Sequence, residues 1–266
     1  MADDDYLLDG TYMLRKDFQI RAIANLITQH ETYNDDMNRV DNEIRNTTSN
    51  FSFQGWFKVS RNMNIAINAN IRAFKTAGYS SSALDVFTLV SDSTSKTVFR
   101  SLNPVFKILL YDRKFKLSWQ STFVIPVSKA FDLTYNLNTF RDPNQAQWIN
   151  QLFYSKNYSE YFSLNMELTA IMRLGQTDGT RGFTLRFPVT PVFNYYFNSH
   201  LRLKALIELN PVIYEDFFAT FYLREGAGIT FYANETFSFD LLFTYMALGK
   251  RVPAQSSTVL GTKISF

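Results

Sequence analysis

Twelve stretches of the chain, each about ten to fourteen residues long, alternate apolar with polar side chains. Such a stretch folds as a β-strand with one apolar face, because successive side chains point to opposite sides. A tilted strand of about nine to eleven residues is long enough to cross a bilayer. The predicted strands are residues 17–31, 48–59, 64–75, 98–111, 115–127, 146–155, 161–174, 183–196, 201–214, 218–232, 236–248 and 257–266.

A soluble β-sandwich also alternates, so the pattern alone does not identify a membrane protein. Three further features favour a membrane-spanning barrel. The strands exceed the usual five or six residues, the chain ends within a strand that can close the sheet, and aromatic residues gather at one set of strand ends, as at a membrane surface. These aromatic residues are Tyr111, Phe115, Tyr154, Tyr158, Tyr161, Tyr195, Tyr196, Phe197, Phe231, Tyr232, Phe237 and Phe266.

The connections between the predicted strands differ in length at the two ends. Short turns are expected at residues 60–63, 112–114, 156–160, 197–200 and 233–235, whereas the connections at 32–47, 76–97 and 128–145 are long and polar. Residues 175–182 and 249–256 form moderate connections, and 214–217 is a short exception. Short periplasmic turns and long outer loops are typical of outer-membrane barrels. The sequence therefore predicts an all-β fold, a transmembrane antiparallel up-and-down barrel of about twelve strands with both termini in the periplasm.

Composition excludes several other classes. The chain is 46% hydrophobic with a mean hydropathy of −0.16, and no apolar run approaches the length of roughly 18 residues that predicts a transmembrane helix. It contains no cysteine, which excludes disulfides, thiolate metal sites and a cysteine nucleophile. A net charge of +3 without a basic run gives no argument for nucleic-acid binding.

The last predicted strand places Thr258, Leu260, Thr262, Ile264 and Phe266 on one face. It resembles the C-terminal assembly signal of Gram-negative outer-membrane proteins, and the richness in Asn, Tyr and Phe is similar to barrels of Bacteroidota. The resemblance implies export, insertion by the barrel-assembly machinery, and contact with outer-membrane lipid and lipopolysaccharide. The N-terminus lacks a secretory signal, so we expect the chain to be a mature form whose signal peptide has been removed.

The domain prediction is a periplasmic N-terminal segment, residues 1–16, followed by the barrel, residues 17–266. Asp3, Asp4, Asp5 and Asp9 would lie at the mouth of a basic lumen. Two interpretations stay open for this segment: a solvated, disordered tail, or a plug that Coulomb attraction draws inward.

The polar strand faces collect the candidate pore-lining residues. A lumen with excess cations would favour anions, whereas the alternative is that these groups brace the barrel as ion pairs and hydrogen bonds. The predicted function is a channel for small hydrophilic, anionic solutes, and the alternative is a non-conducting structural or assembly subunit that binds other envelope proteins. The predicted pore-lining residues are Arg21, Lys58, Arg72, Lys107, Lys116, Glu167, Arg173, Arg186, Arg202, Lys204, Glu208, Arg224, Asp240 and Lys263.

Fatty-substrate transport is a further alternative, because several apolar side chains also point inward. They are Ile23, Trp56, Phe74, Leu109, Phe153, Ile171 and Leu206.

Three places fit the strand pattern badly. Pro188 and Pro191 each remove a backbone donor from the eighth strand, which predicts a bulge or an irregular stretch there. In the tenth strand, strict alternation would point Glu225 at lipid, so Gly226 and Gly228 are predicted to host a bulge that returns it to the lumen. The sixth strand has the weakest pattern.

The sequence predicts neither an enzyme nor a cofactor or metal site. His30 and His200, the two histidines of the chain, fall at opposite ends of the predicted barrel, which does not suit a Ser–His pair. The carboxylates Asp35, Asp36, Asp41 and Glu43 of the first long connection do not match a calcium-binding loop and are expected to be solvated.

Overall fold

A computed structural model describes residues 16–78, 82–88, 93–129, 131–135, 138–142, 145–174, 176–177, 180–181, 184–214 and 217–266. Residues 1–15, with the four aspartates of the predicted tail or plug, lie outside this range. Among the described residues no helix is long and apolar enough to cross a membrane.

Most of the described chain forms one closed antiparallel sheet. The strands are β1 (Phe18–Tyr33), β2 (Arg39–Ser60), β3 (Met63–Gly78), β4 (Ser95–Asp112), β5 (Lys116–Pro126), β6 (Phe131–Tyr135), β7 (Asn138–Asp142), β8 (Ala146–Asn157), β9 (Phe162–Leu174), β10 (Gln176–Thr177), β11 (Thr180–Arg181), β12 (Thr184–Arg186), β13 (Val189–Tyr196), β14 (Leu201–Tyr214), β15 (Phe217–Tyr232), β16 (Phe237–Lys250) and β17 (Val252–Ser265).

Each barrel strand pairs with its neighbour in sequence, and the sheet closes because β1 pairs with β17. The short strands β12 and β13 share one position between β9 and β14, so the barrel has twelve strand positions. At the seam the Phe266 amide donates to the Phe18 carbonyl at 2.9 Å. The prediction of a twelve-stranded antiparallel barrel, including its weakly patterned sixth strand, is confirmed.

The eighth position is irregular, as its prolines predict. The strand stops at Arg186 and resumes at Val189, and the interruption contains Pro188. The backbone still finds partners there, since the Thr169 amide donates to the Pro188 carbonyl at 3.0 Å.

Two predicted loops prove to be mostly strand. β1 and β2 continue until Tyr33 pairs with Arg39, and β16 and β17 are separated by Arg251 alone, which adopts a left-handed φ of 53°. The predicted boundaries at 32–47 and 249–256 were therefore wrong. Hydrophobic alternation ends where the wall leaves the lipid, whereas backbone pairing continues into water with polar side chains. Of the connections predicted to be long, 128–145 contains the β6–β7 hairpin and 76–97 contains a 3-10 helix, Ala83–Thr88.

The 3-10 helix packs against the outer face of the barrel wall. Val86 and the outward-facing Ala73 are each 1% exposed, and the Phe87 ring meets Phe51 at 6.0 Å between centroids. Elsewhere the outer wall is mostly apolar and exposed, as expected of a lipid-facing wall. Its exposed side chains include Phe53, Ile67, Phe106, Phe123, Leu209, Phe243 and Leu260.

Candidate functional site: the barrel interior and its vestibule

We call the end of the barrel that carries Lys16, Phe266 and the short turns the turn end. A cavity of about 860 Å³ opens there, which we call the vestibule. Among its described lining residues, seven cationic side chains face two carboxylates, Glu160 and Glu235. The cations are Lys16, Arg21, Arg113, Lys114, Lys116, Arg202 and Lys263.

Two of these cations are direct cross-strand neighbours. Arg21 on β1 pairs in register with Lys263 on β17, and like charges directly opposite each other destabilise a sheet. Other groups offset this repulsion. The Arg21 guanidinium donates to the Gln19 amide oxygen at 2.6 Å and lies over the Trp56 ring, and the Lys263 ammonium lies 5.9 Å from the centroid of Tyr232. An anion in the vestibule would relieve the same repulsion.

Above the vestibule, the inner face of β14 to β16 carries a charged cluster that we call the lower belt: Arg202, Lys204, Thr230 and Asp240. The Lys204 ammonium donates to the Asp240 carboxylate at 2.6 Å, and Thr230 donates to the same oxygen at 2.5 Å. Arg202 donates to Thr230 at 3.0 Å and is 1% exposed. Each charge in the lower belt therefore has an opposite charge or a hydroxyl against it.

An apolar layer follows the lower belt. Ile23, Leu206, Leu242 and Val259 come from four different strands and form one buried cluster, each at most 5% exposed. Val192 of β13 packs against them, so side chains from well-separated strand positions meet inside the barrel. A layer without polar groups opposes the passage of ions.

The glycines of β15 make room for this layer. Gly226 and Gly228 face inward and pair regularly with β14 and β16. A Cβ at Gly226 would approach Leu206 Cγ to 3.1 Å, and one at Gly228 would approach Leu242 Cδ1 to 3.0 Å and the Leu241 carbonyl to 2.5 Å. The predicted bulge at these glycines is wrong, since the nearest register shift lies between Leu223 and Arg224.

Glu225 accordingly points outward, contrary to the prediction that a bulge returns it to the lumen. It stands seven residues from the turn end of its strand, opposite Tyr245, whose hydroxyl donates to its carboxylate at 2.9 Å. The outer wall therefore contains a Glu–Tyr pair on a face that is mostly apolar.

Beyond the apolar layer lies the upper belt, formed by Glu208, Asn210, Tyr222 and Arg224. Arg224 donates to one oxygen of Glu208, and the Tyr222 hydroxyl donates to the other at 2.8 Å. Asn210 donates to the Tyr222 hydroxyl at 2.5 Å. All four side chains are at most 5% exposed.

On the opposite wall, a side belt links Gln120, Gln151, Glu167 and Thr169. The Gln120 amide donates to Gln151 and the Gln151 amide donates to Glu167, each at 2.8 Å, and Thr169 donates to Glu167 at 2.7 Å. Nearby, the Lys107 ammonium lies 4.5 Å from the centroid of the Phe153 ring. The side belt thus ties three adjacent strands together by their inner side chains.

The structure divides the fourteen predicted pore-lining residues into three groups. Arg21, Lys116, Arg202 and Lys263 line the vestibule, and Arg202 also belongs to the lower belt. Lys58 and Arg173 are half-buried outside these groups. The remaining eight are at most 9% exposed within the described structure: Arg72, Lys107, Glu167, Arg186, Lys204, Glu208, Arg224 and Asp240.

Of the inward apolar residues that motivated the fatty-substrate alternative, Ile23 and Leu206 belong to the apolar layer and Leu109 is half-buried. The other four are at most 5% exposed: Trp56, Phe74, Phe153 and Ile171.

Sequence reasoning missed part of the vestibule. Lys16 precedes the first predicted strand, and Arg113 and Lys114 lie in a turn, so face alternation assigned none of them to the lumen. Tyr196 and Tyr232, predicted for the aromatic ring at the membrane surface, line the vestibule instead. The adjacent cations of the Asp112-Arg-Lys114 turn are the signal that could have found it.

The candidate catalytic groups do not converge. His30 lies in the far half of β1, and the exposed His200 lies in a turn, where its ring nitrogen contacts the Tyr232 carbonyl at 2.8 Å. Among the described residues no cluster of three or more His, Cys, Asp or Glu side chains could hold a metal ion.

In the β1–β2 turn, hydrogen bonds from Arg251 lower the pKa of the Asp35 carboxyl below its ordinary value and raise the pKa of Arg251.

No protein-family model matches the chain, and no curated protein matches it. Solved structures share its fold. The COG4313 outer membrane channel from Pseudomonas putida F1 superposes with a TM-score of 0.69 at 10% identity, over 97% of this chain and 98% of that one.

Two other solved structures match less closely. The translocator domain of autotransporter NalP from Neisseria meningitidis gives a TM-score of 0.52 at 12% identity, covering 97% of this chain and 91% of its own. The KdgM porin in complex with disordered oligogalacturonate gives 0.52 at 8% identity, covering 93% and 99%. At these identities the likeness concerns the fold, and the chain has the fold of Gram-negative outer-membrane β-barrels.

Proposed function

We propose that the protein is an outer-membrane channel for small anionic solutes, which enter or leave through the vestibule. The observation that carries the proposal is the excess of cations over carboxylates among the described lining residues, seven against two. Confined charge of one sign raises the local concentration of the opposite ion. The fold is shared with outer membrane channels and porins, which supports the proposal without identifying a solute.

Purified protein in a planar bilayer tests the proposal. In a KCl gradient the reversal potential should show chloride selectivity, and Arg21→Gln with Lys263→Gln should shift it toward zero. The matched control is Arg61→Gln, which removes an exposed cation from a turn at the same end but outside the vestibule. Cation selectivity of the unmodified protein, or equal shifts from the two variants, would contradict the proposal.

The packed interior favours a second function, that of a non-conducting structural or assembly subunit of an envelope complex. The belts and the apolar layer fill the interior with buried side chains from opposite walls. A complete absence of current at every voltage, together with stoichiometric co-purification of an envelope protein in mild detergent, would establish this alternative over the channel.

A further inference from the structure

We propose that the 3-10 helix Ala83–Thr88 is an interfacial anchor, which inserts Leu84 and Phe87 into the lipid leaflet at the end of the barrel opposite the turn end. The occupant of this surface is membrane lipid, not a second copy of the chain or another protein. The anchor lies on the outer wall, so it is independent of the proposed channel.

The wall against which the helix packs changes from apolar to polar within three rows of outward-facing side chains. In each row, residues of β2, β3 and β4 lie directly opposite one another. From the turn end outward the rows are Phe51–Ile71–Phe99, Ser49–Ala73–Thr97 and Thr47–Lys75–Ser95. The large apolar side chains of the wall therefore end at the first row, and the helix packs on the small side chains of the second.

The first row stands at the right distance from the turn end to mark the edge of the hydrocarbon. On β2 the outward positions from Val59 to Phe51 are apolar or glycine, a span of nine residues. On β3 the outward positions from Ile65 to Ala73 are apolar over the same length. A tilted strand crosses the hydrocarbon with about nine to eleven residues, so the helix lies where lipid meets water.

The geometry of a 3-10 helix gives this segment three distinct faces, since side chains three residues apart lie in line. Val86 is 1% exposed and faces the wall. Leu84 and Phe87 share a second face and are 62% and 41% exposed. Ser82, which precedes the helix, lines up with Asp85 on a third face, which is polar. One face thus packs on protein, one presents apolar side chains outward, and one is polar.

Continuity with the lipid-facing wall identifies the occupant of the apolar face. The Phe87 ring contacts Phe51 of the first row at 6.0 Å between centroids, so this face extends the apolar wall that lipid covers. Segments that lie in a membrane interface bury Leu and Phe side chains and keep their polar face in water. Exposure of Leu84 and Phe87 to water would be opposed by the hydrophobic effect.

Spin labels on single cysteines test the inference, because the chain has no cysteine of its own. In dioleoylphosphatidylcholine vesicles, molecular oxygen concentrates in the hydrocarbon and a nickel chelate stays in water. The ratio of oxygen to nickel accessibility at Leu84→Cys should be several-fold higher than at Ser82→Cys on the polar face of the same turn. The references are Ile67→Cys on the lipid-facing wall and Asp36→Cys in an exposed turn at the same end.

The references make the outcome decisive. A ratio at Leu84 close to that at Ile67 supports the anchor. A ratio equal to that at Asp36 would place the apolar face in water, and low accessibility to both reagents would mean that protein covers it. Either of these two results overturns the inference.

A substitution then measures whether lipid contact holds the helix in place. Leu84→Ser should increase both the mobility of a label at Ser82→Cys and its accessibility to the nickel chelate, whereas Leu84→Ile, which keeps the apolar surface, should change neither. No effect of Leu84→Ser would mean that packing on the wall alone fixes the helix, and it would overturn the anchor. Neither measurement involves current, so a barrel that never conducts would overturn the channel and leave this inference intact.

Discussion

Arg21 in the vestibule and Arg224 in the upper belt both point into the barrel, yet their surroundings differ. Arg224 is 5% exposed and donates to Glu208, which also accepts from Tyr222. Arg21 is half-buried beside a cavity, and its register partner is another cation. Buried charges are matched because desolvation is costly, whereas charges of one sign persist where water reaches them. The barrel interior thus has a middle region in which buried charges are paired, and an end region, the vestibule, in which cations predominate.

The largest difference between these two regions should appear in stability. Arg224→Ala leaves Glu208 as a buried charge without its guanidinium partner and should cost about 3–5 kcal/mol in the free energy of unfolding. Arg21→Gln should change it by no more than about 0.5 kcal/mol. Urea unfolding in lipid vesicles measures both. The double variant Glu208→Gln with Arg224→Met should recover most of the loss, and a small effect of Arg224→Ala would refute the bracing role.

The apolar layer and the vestibule also differ in their expected roles in conduction: the layer is a barrier to ions, and the vestibule is an entrance. Leu206→Ala with Leu242→Ala empties the layer and should raise single-channel conductance, at a cost of about 2–5 kcal/mol per residue. The outward-facing neighbours Leu203 and Leu241 provide the control, because their truncation to alanine leaves the interior intact. An unchanged current in the inner variant would show that the layer does not limit conduction.

Glu225 sharpens the comparison from the outer wall. Glu225→Leu should stabilise the barrel by roughly 1 kcal/mol, because a carboxylate on the lipid-facing wall is costly. Tyr245→Phe removes the hydroxyl that donates to Glu225. It should lower the free energy of unfolding when Glu225 is present, but not in the Glu225→Leu variant. Vesicle unfolding of the two single variants and the double variant measures the coupling; no coupling would mean that the pair does not form.

The smallest effect is expected at the exposed Asp35–Arg251 contact. The contact stabilises the charged form of Asp35 and lowers the pKa of its carboxyl. The contact should therefore be fully present at pH values above 3.8, the ordinary pKa of this group, and be lost as the pH falls through the lowered pKa. An NMR titration of the Asp35 carboxyl should give a midpoint below 3.8, and Arg251→Gln should return it toward that value. A midpoint that Arg251→Gln leaves unchanged would remove the contact as the cause.

The sequence predicted the spanning parts of the fold because lipid imposes period-two alternation on every strand. It could not predict where β1, β2, β16 and β17 end, since strands in water obey no such constraint. Pro188 correctly marked the interruption between Arg186 and Val189, whereas Pro191, predicted with it, is paired within β13. Gly226 was misleading, since an inward glycine serves equally well in a bulge or beside a large neighbour such as Leu206.

The candidate site was less predictable than the fold. Alternation assigns a side chain to one face, which sufficed for Arg21 and Lys263. It does not say which inward groups meet, because clusters such as the one that contains Ile23 and Leu206 join strands that are distant in sequence. Residues in turns and before the first strand, such as Arg113 and Lys16, have no assigned face at all.

The seam between Phe18 and Phe266 has a consequence for biogenesis. Because β1 pairs with β17, the sheet closes only when these two strands, which are far apart in the sequence, come together, and pairings so distant in sequence form slowly. Until then the sheet has two edge strands with unpaired backbone N–H and C=O groups, through which it can pair with other chains and oligomerise. Removing a few residues from the C-terminus should leave both edge strands unpaired and favour aggregates over a shortened barrel.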